Sequence, residues 1–322
     1  MLFSSCGEET ALEPVPEAKT ETVFALDTVV SITYYDARDK DAVARALESL
    51  ERYEKIFSRK DPDSELSKVN ASGGSPVPVS EALFTVLNAA WQLSEQTDGA
   101  FDCTLGAVSD LYDFTGTPRI PSEAEINECL AHAGYEKVTL NAENRTVTKT
   151  DSGLLIDLGA IAKGYIADKL KEELLSAGVK RAIINLGGNI QLIGNKNGVA
   201  GEYYASTKTD GMYVIGIRDP DSETPLTKLY LADLSVVTSG TYERCFYDGG
   251  VLYHHILDAK TGLPVRNGLL SVSVVAANSM TADALSTACF VLGEEKSKEL
   301  LVHYPAARVL FADEDKELTN LP

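Results

Sequence analysis

The chain has 322 residues, of which 44% are hydrophobic, which is enough for one large core or two smaller ones. It carries 48 acidic residues against 29 basic ones, a net charge of −19. Binding to nucleic acid or to an anionic membrane surface needs clustered Lys and Arg, so this balance argues against both kinds of partner. No apolar run of about 18 residues occurs, and no segment is expected to span a bilayer.

The N-terminal residues resemble the end of a bacterial lipoprotein signal. Leu2-Phe3-Ser4-Ser5-Cys6-Gly7 has an apolar position, two small residues and a cysteine, but the charged region and most of the apolar region that precede such a site are missing. An ordinary frayed N-terminus that holds a cysteine is the alternative. Residues 7–21 are rich in Glu, Pro and Thr, which predicts a flexible tether. We therefore interpret residues 1–21 as a truncated signal remnant followed by this tether.

The first half of the remaining chain predicts strands and helices in alternation. Val23 to Tyr35 has the β-branched content of a strand pair, and apolar residues recur at helical spacing from Ala42 to Phe57. Ser80 is placed as the N-cap of a second helix. A loop from Gly99 to Gly106 precedes a helical stretch, turns at 115–121, a short helix near 122–133 and a hairpin from 137 to 149.

The second half predicts further strands around two helices. Strands are expected at 154–157, 182–185 and 213–217, a helix from 160 to 177, a helix at about 280–292 and a last strand at 308–312. The order of elements indicates an α+β fold with mixed or antiparallel sheets and packed helices, rather than a doubly wound sheet.

Common cofactor motifs are absent from the sequence. It has no GxxxxGK[ST] and no strand-GxGxxG-helix unit, so a dinucleotide would have to bind in another way. Cys103, Cys129, Cys245 and Cys289 show no CxxC spacing and no companion His cluster, which argues against zinc and a thioredoxin-like motif. Buried free thiols are expected, with a disulfide as the alternative.

Three separated segments carry candidate chemistry. Asp157 to Gly164 reads as a strand, a tight turn and a helix start, which could offer a carbonyl, free amides and the Lys163 cation to a phosphate. The alternative is that this segment only caps a helix and that Lys163 is solvated. His255 begins a second segment, and a lone His is either a packed residue or a proton acceptor near neutral pH.

The third segment is the strongest candidate for a metal site. Asp283 and Thr287 are four residues apart on a predicted helix, so both side chains face the same way, and such oxygen ligands suit magnesium. Alternatively, Asp283 complements the helix dipole and Thr287 bonds to its own helix. The sequence pattern alone does not decide between these interpretations.

Together these segments resemble the ApbE family, the FAD:protein FMN transferases, also called flavin-trafficking lipoproteins. The resemblance covers roughly residues 22 to 312 and rests on seven stretches: Ser64-Glu65-Leu66 with Asn70, Gly99 to Gly106, Asp157 to Gly164, Asn185 to Asn189, Ser239 to Arg244, His255 to Gly262 and Thr281 to Ala288. It implies a T-fold-like core and one catalytic unit over residues 22–322 with a helical insertion at about 104–133. It also implies a lipid on Cys6 and a location on the extracytoplasmic face of the bacterial inner membrane.

The resemblance further implies a reaction and a set of site residues. Magnesium would be held by Asp283, Thr287 and the Ala160 carbonyl, and His255 would be the general base or a flavin-phosphate contact. The FMN part of FAD would be transferred to a Ser or Thr hydroxyl of an acceptor protein, a membrane electron-transport subunit, with release of AMP. Contacts to FAD are implied for Leu26, Ala100, Phe101, Asp102, Lys163, Ser239 and Gly240, while Tyr112 and Phe114 either pack against a ring system or belong to the core.

The sequence departs from the family pattern at three places. Leu26-Asp27-Thr28 replaces Met-Gly-Thr, Ala259 replaces a proline, and Lys60 stands where an aromatic residue is common. Because a cation at residue 60 changes charge and water access beside the flavin, two alternatives stay open. One is a magnesium-dependent FAD pyrophosphatase that yields FMN and AMP, and the other is a flavin-binding lipoprotein without turnover.

Overall fold

A computed structural model describes residues 17–322. The predicted signal remnant and Cys6 lie outside the described residues. The tether was predicted to extend to residue 21, but strand β1 (Lys19–Ala25) already begins at Lys19 and includes its last residues.

Eight α-helices and sixteen strands form the described part of the chain. The helices are α1 (Lys40–Glu48), α2 (Leu50–Phe57), α3 (Glu65–Asn70), α4 (Glu81–Gln96), α5 (Gly106–Tyr112), α6 (Glu123–His132), α7 (Ala162–Ser176) and α8 (Ser279–Leu301). The other strands are β2 (Thr28–Tyr34), β3 (Val77–Pro78), β4 (Val138–Asn141), β5 (Thr146–Lys149), β6 (Ala182–Leu186), β7 (Asn189–Ile193), β8 (Tyr203–Ala205), β9 (Tyr213–Ile217), β10 (Thr227–Ala232), β11 (Ser235–Gly240), β12 (Cys245–Asp248), β13 (Val251–His254), β14 (Leu269–Ala276), β15 (Arg308–Asp313) and β16 (Leu318–Leu321).

An eight-stranded sheet organises the fold, with the strand order β1-β2-β6-β7-β11-β14-β15-β16. Three smaller sheets have the orders β8-β10-β9, β3-β5-β4 and β12-β13. Every pair of neighbouring strands within residues 17–322 is antiparallel. The predicted α+β class, with antiparallel sheets and packed helices, is confirmed.

The large sheet is covered on both faces. On one face α7 packs on β6 and β7, α8 packs on β11 and β14, and the two helices pack on each other. On the other face the sheet of β9 and β10 closes a second core. Because successive side chains of a strand point to opposite faces, Val237 of β11 belongs to the first core and Val236 to the second.

Several helix boundaries follow the predicted signals and others do not. The Ser80 hydroxyl accepts a hydrogen bond from the Leu83 N–H at 3.3 Å, which confirms the predicted N-cap of α4. The helix predicted from 42 to 57 is two helices, α1 and α2, which meet at Ser49. Helix α8 continues past residue 292 through an interruption at Gly293, where φ is 75° and ψ is 173°.

Membrane-spanning helices and disulfides are both absent from the described residues. No helix among residues 17–322 is long and apolar enough to cross a membrane. The four cysteines of the described chain are free thiols, and burial raises the pKa of Cys289 to about 11. The prediction of buried free thiols is thus confirmed for Cys103 and Cys289, whereas Cys129 and Cys245 are free but only partly buried. A buried thiol such as that of Cys289 is unreactive.

Candidate active site

A cavity of about 640 Å3 opens between the β1–β2 turn, β11, the start of α7 and the first half of α8. Eight Asp or Glu residues line it, against four Lys or Arg residues. An excess of carboxylates favours cations and disfavours a free pyrophosphate. All residues that the sequence analysis assigned to metal, FAD or catalysis line this one cavity: Leu26, Ala100, Phe101, Asp102, Ala160, Lys163, Ser239, Gly240, His255, Asp283 and Thr287.

Asp283 presents a buried carboxylate to the cavity. Its side chain is 5% exposed, and its Oδ2 accepts a hydrogen bond from the Gly164 N–H at 2.8 Å. Burial raises the pKa of the Asp283 carboxyl, while Lys163 and the Gly164 N–H oppose that rise. Because the Lys163 ammonium lies 3.9 Å from Oδ1, beyond hydrogen-bond distance, it compensates the buried charge only in part.

The same hydrogen bond leaves the Ala160 carbonyl available. In a continuous helix the N–H of Gly164 would donate to the carbonyl four residues earlier, which is that of Ala160. It donates to Asp283 instead, and within residues 17–322 no backbone N–H bonds to the Ala160 oxygen. Helix α7 accordingly begins at Ala162, two residues after the predicted start.

The start of α8 is fixed against α7 by two features. A Cβ atom on Gly164 would lie 2.3 Å from the Ser279 carbonyl oxygen, so only glycine permits this approach of the two helices. The Asp168 carboxylate accepts the N–H groups of Ser279 and Met280 at 2.8 and 2.9 Å, and burial raises the pKa of Asp168 to about 6. Both contacts hold Asp283 near the start of α7.

Thr287 lies one turn after Asp283 and contacts β11. The Ser239 hydroxyl lies 3.1 Å from Thr287 Oγ1 and 2.8 Å from Ser286 Oγ, and Ser286 donates to the Asp283 carbonyl at 2.8 Å. These hydroxyls link the strand to the helix and set the position of the Thr287 oxygen.

The adjacent histidines of the second segment have separate surroundings. His255 lines the cavity, and its Nδ1 is buried without a hydrogen-bond partner among the described residues. Burial, with Arg244, His254 and Lys163 nearby, lowers the pKa of His255 to about 3. His254 lies in the core, where its Nε2 is 3.0 Å from the Val265 carbonyl oxygen. His255 is therefore neutral at pH 7, and its Nδ1 is not engaged in a hydrogen bond within residues 17–322.

The segment that leads to Ala160 is held by side chains and by one isolated backbone bridge. In this bridge the Gly106 N–H donates to the Leu155 carbonyl at 3.1 Å and the Asp157 N–H donates to the Cys103 carbonyl at 2.7 Å. Asn70 donates to the Ile156 carbonyl at 2.9 Å and accepts from the Ile156 N–H at 2.8 Å. The buried Lys149 ammonium donates to the carbonyls of Asn70 and Leu154 at 2.6 and 2.8 Å. The strand predicted at 154–157 is therefore wrong, because the Ile156 backbone is bonded to the Asn70 amide and the pairing with the 103–106 loop does not extend beyond a single bridge.

The β1–β2 turn forms the rim of the cavity. Leu26 and Asp27 have φ values of 56° and 57°, as in a two-residue type I′ hairpin turn, and the Leu26 N–H donates to Glu54 Oε1 at 2.8 Å. The Lys60 ammonium lies 2.8 Å from Asp27 Oδ2. Two of the departures from the family pattern, at residues 27 and 60, are therefore bound to each other.

The Gly99–Gly106 loop supplies Ala100, Phe101 and Asp102 to the cavity. The Asp102 carboxylate accepts the N–H and the hydroxyl of Thr104, both at 2.7 Å, and the Tyr135 N–H at 3.1 Å. Asp102 therefore contributes to the site by fixing this loop.

The two aromatic residues after the loop differ in position. Phe114 lines the cavity and stacks on Tyr112 with ring centroids 5.1 Å apart. Tyr112 is fully buried, and its hydroxyl donates to the Gly262 carbonyl at 3.1 Å. Of the two, Phe114 is placed to pack against a bound ring, and Tyr112 is a core residue.

Arg59 and Asn189 are polar residues of the cavity to which the sequence analysis assigned no role. Arg59 lies 2.6 Å from Asp110 and 3.1 Å from Asp157 through different nitrogen atoms. Asn189 accepts from the Ser279 hydroxyl, and its Nδ2 is buried without a partner in the described chain. Asn189 ends one of the stretches that carry the family resemblance and Arg59 precedes Lys60, but the contacts of both residues are not visible in the sequence.

The oxygen ligands at the cavity suit magnesium. Asp283 supplies a carboxylate with incomplete charge compensation, Thr287 a hydroxyl and Ala160 a carbonyl, all hard donors. No group of three or more His, Cys, Asp or Glu residues in 17–322 is arranged to hold a metal ion. A metal at this place would thus use backbone and hydroxyl ligands, together with water and substrate.

Comparison with known proteins identifies the family. A sequence model described as ApbE family matches residues 26–311. The chain belongs to the ApbE family. ApbE relatives include the FAD:protein FMN transferase of Treponema pallidum, which is 37% identical over 98% of this chain and 88% of its own length. The one from Klebsiella pneumoniae is 32% identical over 88% of this chain and 85% of its own length.

Solved ApbE structures have the same fold. The ApbE protein of Thermotoga maritima is 36% identical, with a TM-score of 0.83 over 94% of this chain and 96% of the other. The flavin transferase ApbE of Vibrio cholerae is 29% identical, with a TM-score of 0.78 over 95% and 96% of the two chains. The ApbE resemblance stated from the sequence is thus confirmed.

Proposed function

We propose that this protein transfers the FMN moiety of FAD to a Ser or Thr hydroxyl of an acceptor protein, with release of AMP. The observation that carries the proposal is the buried Asp283 carboxylate, which shares one cavity with Thr287, Ala160 and His255. Relatives that match nearly the whole chain are named FAD:protein FMN transferases. Both the fold and the charge of the cavity fit that activity.

Each residue then has a defined task. Magnesium held by Asp283, Thr287 and the Ala160 carbonyl would neutralise the charge of the pyrophosphate. The neutral His255 accepts the proton of the acceptor hydroxyl, whose oxygen forms the new bond to the FMN-side phosphorus. The bond from that phosphorus to the AMP oxygen breaks, and Lys163 supplies a positive charge beside Asp283.

A magnesium-dependent FAD pyrophosphatase is the second candidate. The Asp27–Lys60 pair at the rim is favourable for this activity, because its side chains are 53% and 62% exposed and bring hydrated charges to the cavity entrance. Water would then take the place of the acceptor hydroxyl and yield FMN and AMP.

The acceptor and the location belong to the same proposal. The family resemblance supports an acceptor among membrane electron-transport subunits with a short Ser/Thr-containing motif. The sequence around Cys6 supports a lipid anchor on the extracytoplasmic face of the bacterial inner membrane. Mass spectrometry of the protein purified from its native membrane tests the anchor, and an unmodified Cys6 would contradict it.

The decisive experiment measures AMP release from FAD and magnesium, with and without a domain that carries a Ser/Thr flavinylation motif. We expect AMP only with the acceptor, together with an acceptor that gains the mass of an FMN phosphoester. Steady AMP without acceptor would identify a hydrolase, and binding of FAD without AMP in either case would identify a carrier. Asp283→Ala serves as the inactive control.

A further inference from the structure

The outer edge of β1 has no partner strand within residues 17–322, because β1 ends the eight-stranded sheet. Phe24 of this strand is 77% exposed. A strand edge of this kind offers unpaired N–H and C=O groups to another chain. Seven residues of β1 are available for such pairing.

A groove of about 440 Å3 follows this edge. Five consecutive residues of β1, Glu21 to Ala25, line it together with a face of α1 and α2. Because alternate side chains of a strand point to opposite faces, a groove that touches five consecutive residues runs along the edge of the strand and not along one face. We name it the β1 groove.

The backbone groups that face the β1 groove follow from the strand register. Phe24 pairs with Val29 of β2, and the Val29 carbonyl accepts from the Gly187 N–H on its far side. The backbone of Val29 therefore points away from β1, so Phe24 and Val29 form a non-hydrogen-bonded pair. By the same alternation, Thr20, Thr22 and Phe24 direct their N–H and C=O groups toward the groove.

The β1 groove is continuous with the active site. Glu54 lines both the groove and the cavity, and its carboxylate holds the Leu26 N–H at the turn where β1 ends. A chain that paired with β1 and ran toward the turn would reach the rim of the cavity. This geometry suits a substrate that must insert a hydroxyl beside a bound dinucleotide.

The charge of the groove selects its occupant. The groove is lined by four acidic residues, Glu21, Glu48, Glu51 and Glu54. Lys40 is the only basic residue that lines it in the described part of the chain. Residues 1–16 of this chain contain three Glu and no Lys or Arg, so the acidic groove repels that segment. An extended segment with basic side chains is attracted.

We propose that the β1 groove binds an extended, basic segment of the acceptor protein as an added strand and thereby leads its Ser or Thr hydroxyl to the cavity. This inference rests on the proposed function, since it assigns the binding site of that reaction's second substrate. Main-chain pairing would supply affinity without requiring one sequence, and the four glutamates would supply the charge preference.

The test uses the full chain and two labelled peptides of about ten residues, enough to cover β1. One alternates Lys and Val and ends in Thr, and the other has Glu in place of Lys. Fluorescence anisotropy, hydrogen exchange and, with FAD and magnesium present, peptide mass are measured. We expect the basic peptide to bind at least about tenfold more tightly and to slow exchange at the amides of Thr20, Thr22 and Phe24.

Charge-reversal variants supply the matched control. Glu48→Lys with Glu51→Lys should weaken binding of the basic peptide about tenfold, while Glu143→Lys, on the exposed β4–β5 loop, leaves it unchanged. Equal binding of both peptides, failure of the basic peptide to bind, or FMN transfer without protection of the β1 amides would overturn the proposal. Protection of these amides without FMN transfer would support the groove and count against the proposed function instead.

Discussion

The Asp283 carboxylate of α8 accepts the backbone N–H of Gly164 in α7 at 2.8 Å. One hydrogen bond thereby orients the carboxylate and removes the donor that would otherwise occupy the Ala160 carbonyl. Two oxygen groups separated by more than a hundred residues, the Asp283 carboxylate and the Ala160 carbonyl just before α7, are prepared together. The site therefore depends on the spacing of α7 and α8 as much as on the identity of its side chains.

Replacement of Asp283 by Asn separates charge from geometry. The amide oxygen can still accept the Gly164 N–H, but the cavity loses its buried negative charge. We expect FMN transfer to fall at least about 100-fold, because charge stabilisation by a metal contributes several kcal/mol. The melting temperature should stay equal or rise, since the buried charge is only partly compensated. Full activity of Asp283→Asn would exclude the assigned metal site.

Replacement of His255 by Gln tests proton transfer. Loss of a general base lowers a rate by about 100- to 10,000-fold. We expect kcat for FMN transfer to fall in that range, while the dissociation constant for FAD, measured by flavin fluorescence, changes little. A weaker FAD affinity with unchanged kcat would make His255 a flavin-phosphate contact instead.

Replacement of Gly164 by Ala tests the contact between the two helices. The added Cβ would lie 2.3 Å from the Ser279 carbonyl oxygen, so α7 and α8 must separate. We expect a loss of about 1–3 kcal/mol in the free energy of unfolding, measured with urea, and weaker magnesium binding. Gly73→Ala is the matched control, because no atom lies within 4 Å of its added Cβ. Equal stability of the two variants would show that the helices tolerate separation.

The pH dependence of stability reflects the buried His254. Its pKa is lowered to about 4, chiefly by burial, whereas an unfolded histidine titrates near 6.5. Between these values the unfolded chain binds a proton that the folded chain does not, so stability falls as the pH decreases from about 6.5 to 4. His255 acts in the same direction, and Asp168, whose pKa is raised to about 6, acts in the opposite one.

A variant isolates the contribution of His254 from these others. His254→Gln keeps a side-chain donor toward the Val265 carbonyl but does not titrate. We expect the variant to lose less stability than the wild type between pH 7 and pH 4, by up to about 3 kcal/mol. Urea unfolding at both pH values measures the difference. Parallel pH profiles of the two proteins would show that folding does not lower the pKa of His254.

The residues of the site could be predicted from the sequence, but the contacts that support them could not. Asp283 and Thr287 were candidates because of their spacing on one helix, which is a local property, and the family resemblance rather than the spacing favoured a metal site. Asp168 contacts Ser279 and Met280 across more than a hundred residues of sequence, and the spacing of these residues gives no sign of it. Supporting contacts of this kind are made between elements that only the folded sheet brings together.

The wrong strand at 154–157 has the same cause. Its apolar residues fit a buried strand, and the sequence carries no sign that the Asn70 side chain, 86 positions earlier, satisfies the Ile156 backbone. The division of α1 from α2 at Ser49 was missed for a local reason, because the apolar spacing continues through the break. Periodicity reports which face is buried and not whether the backbone is continuous.

The Asp27–Lys60 pair makes two positions of the sequence depend on each other. Either charge alone at the rim would face solvent and cavity without its counterion, so a substitution at residue 27 changes what is tolerated at residue 60. A glycine at residue 27 would also suit the left-handed turn, but it would release the ammonium of Lys60 toward the cavity. Members of the family that carry a lysine at one position should therefore carry an acid at the other, as a covarying pair.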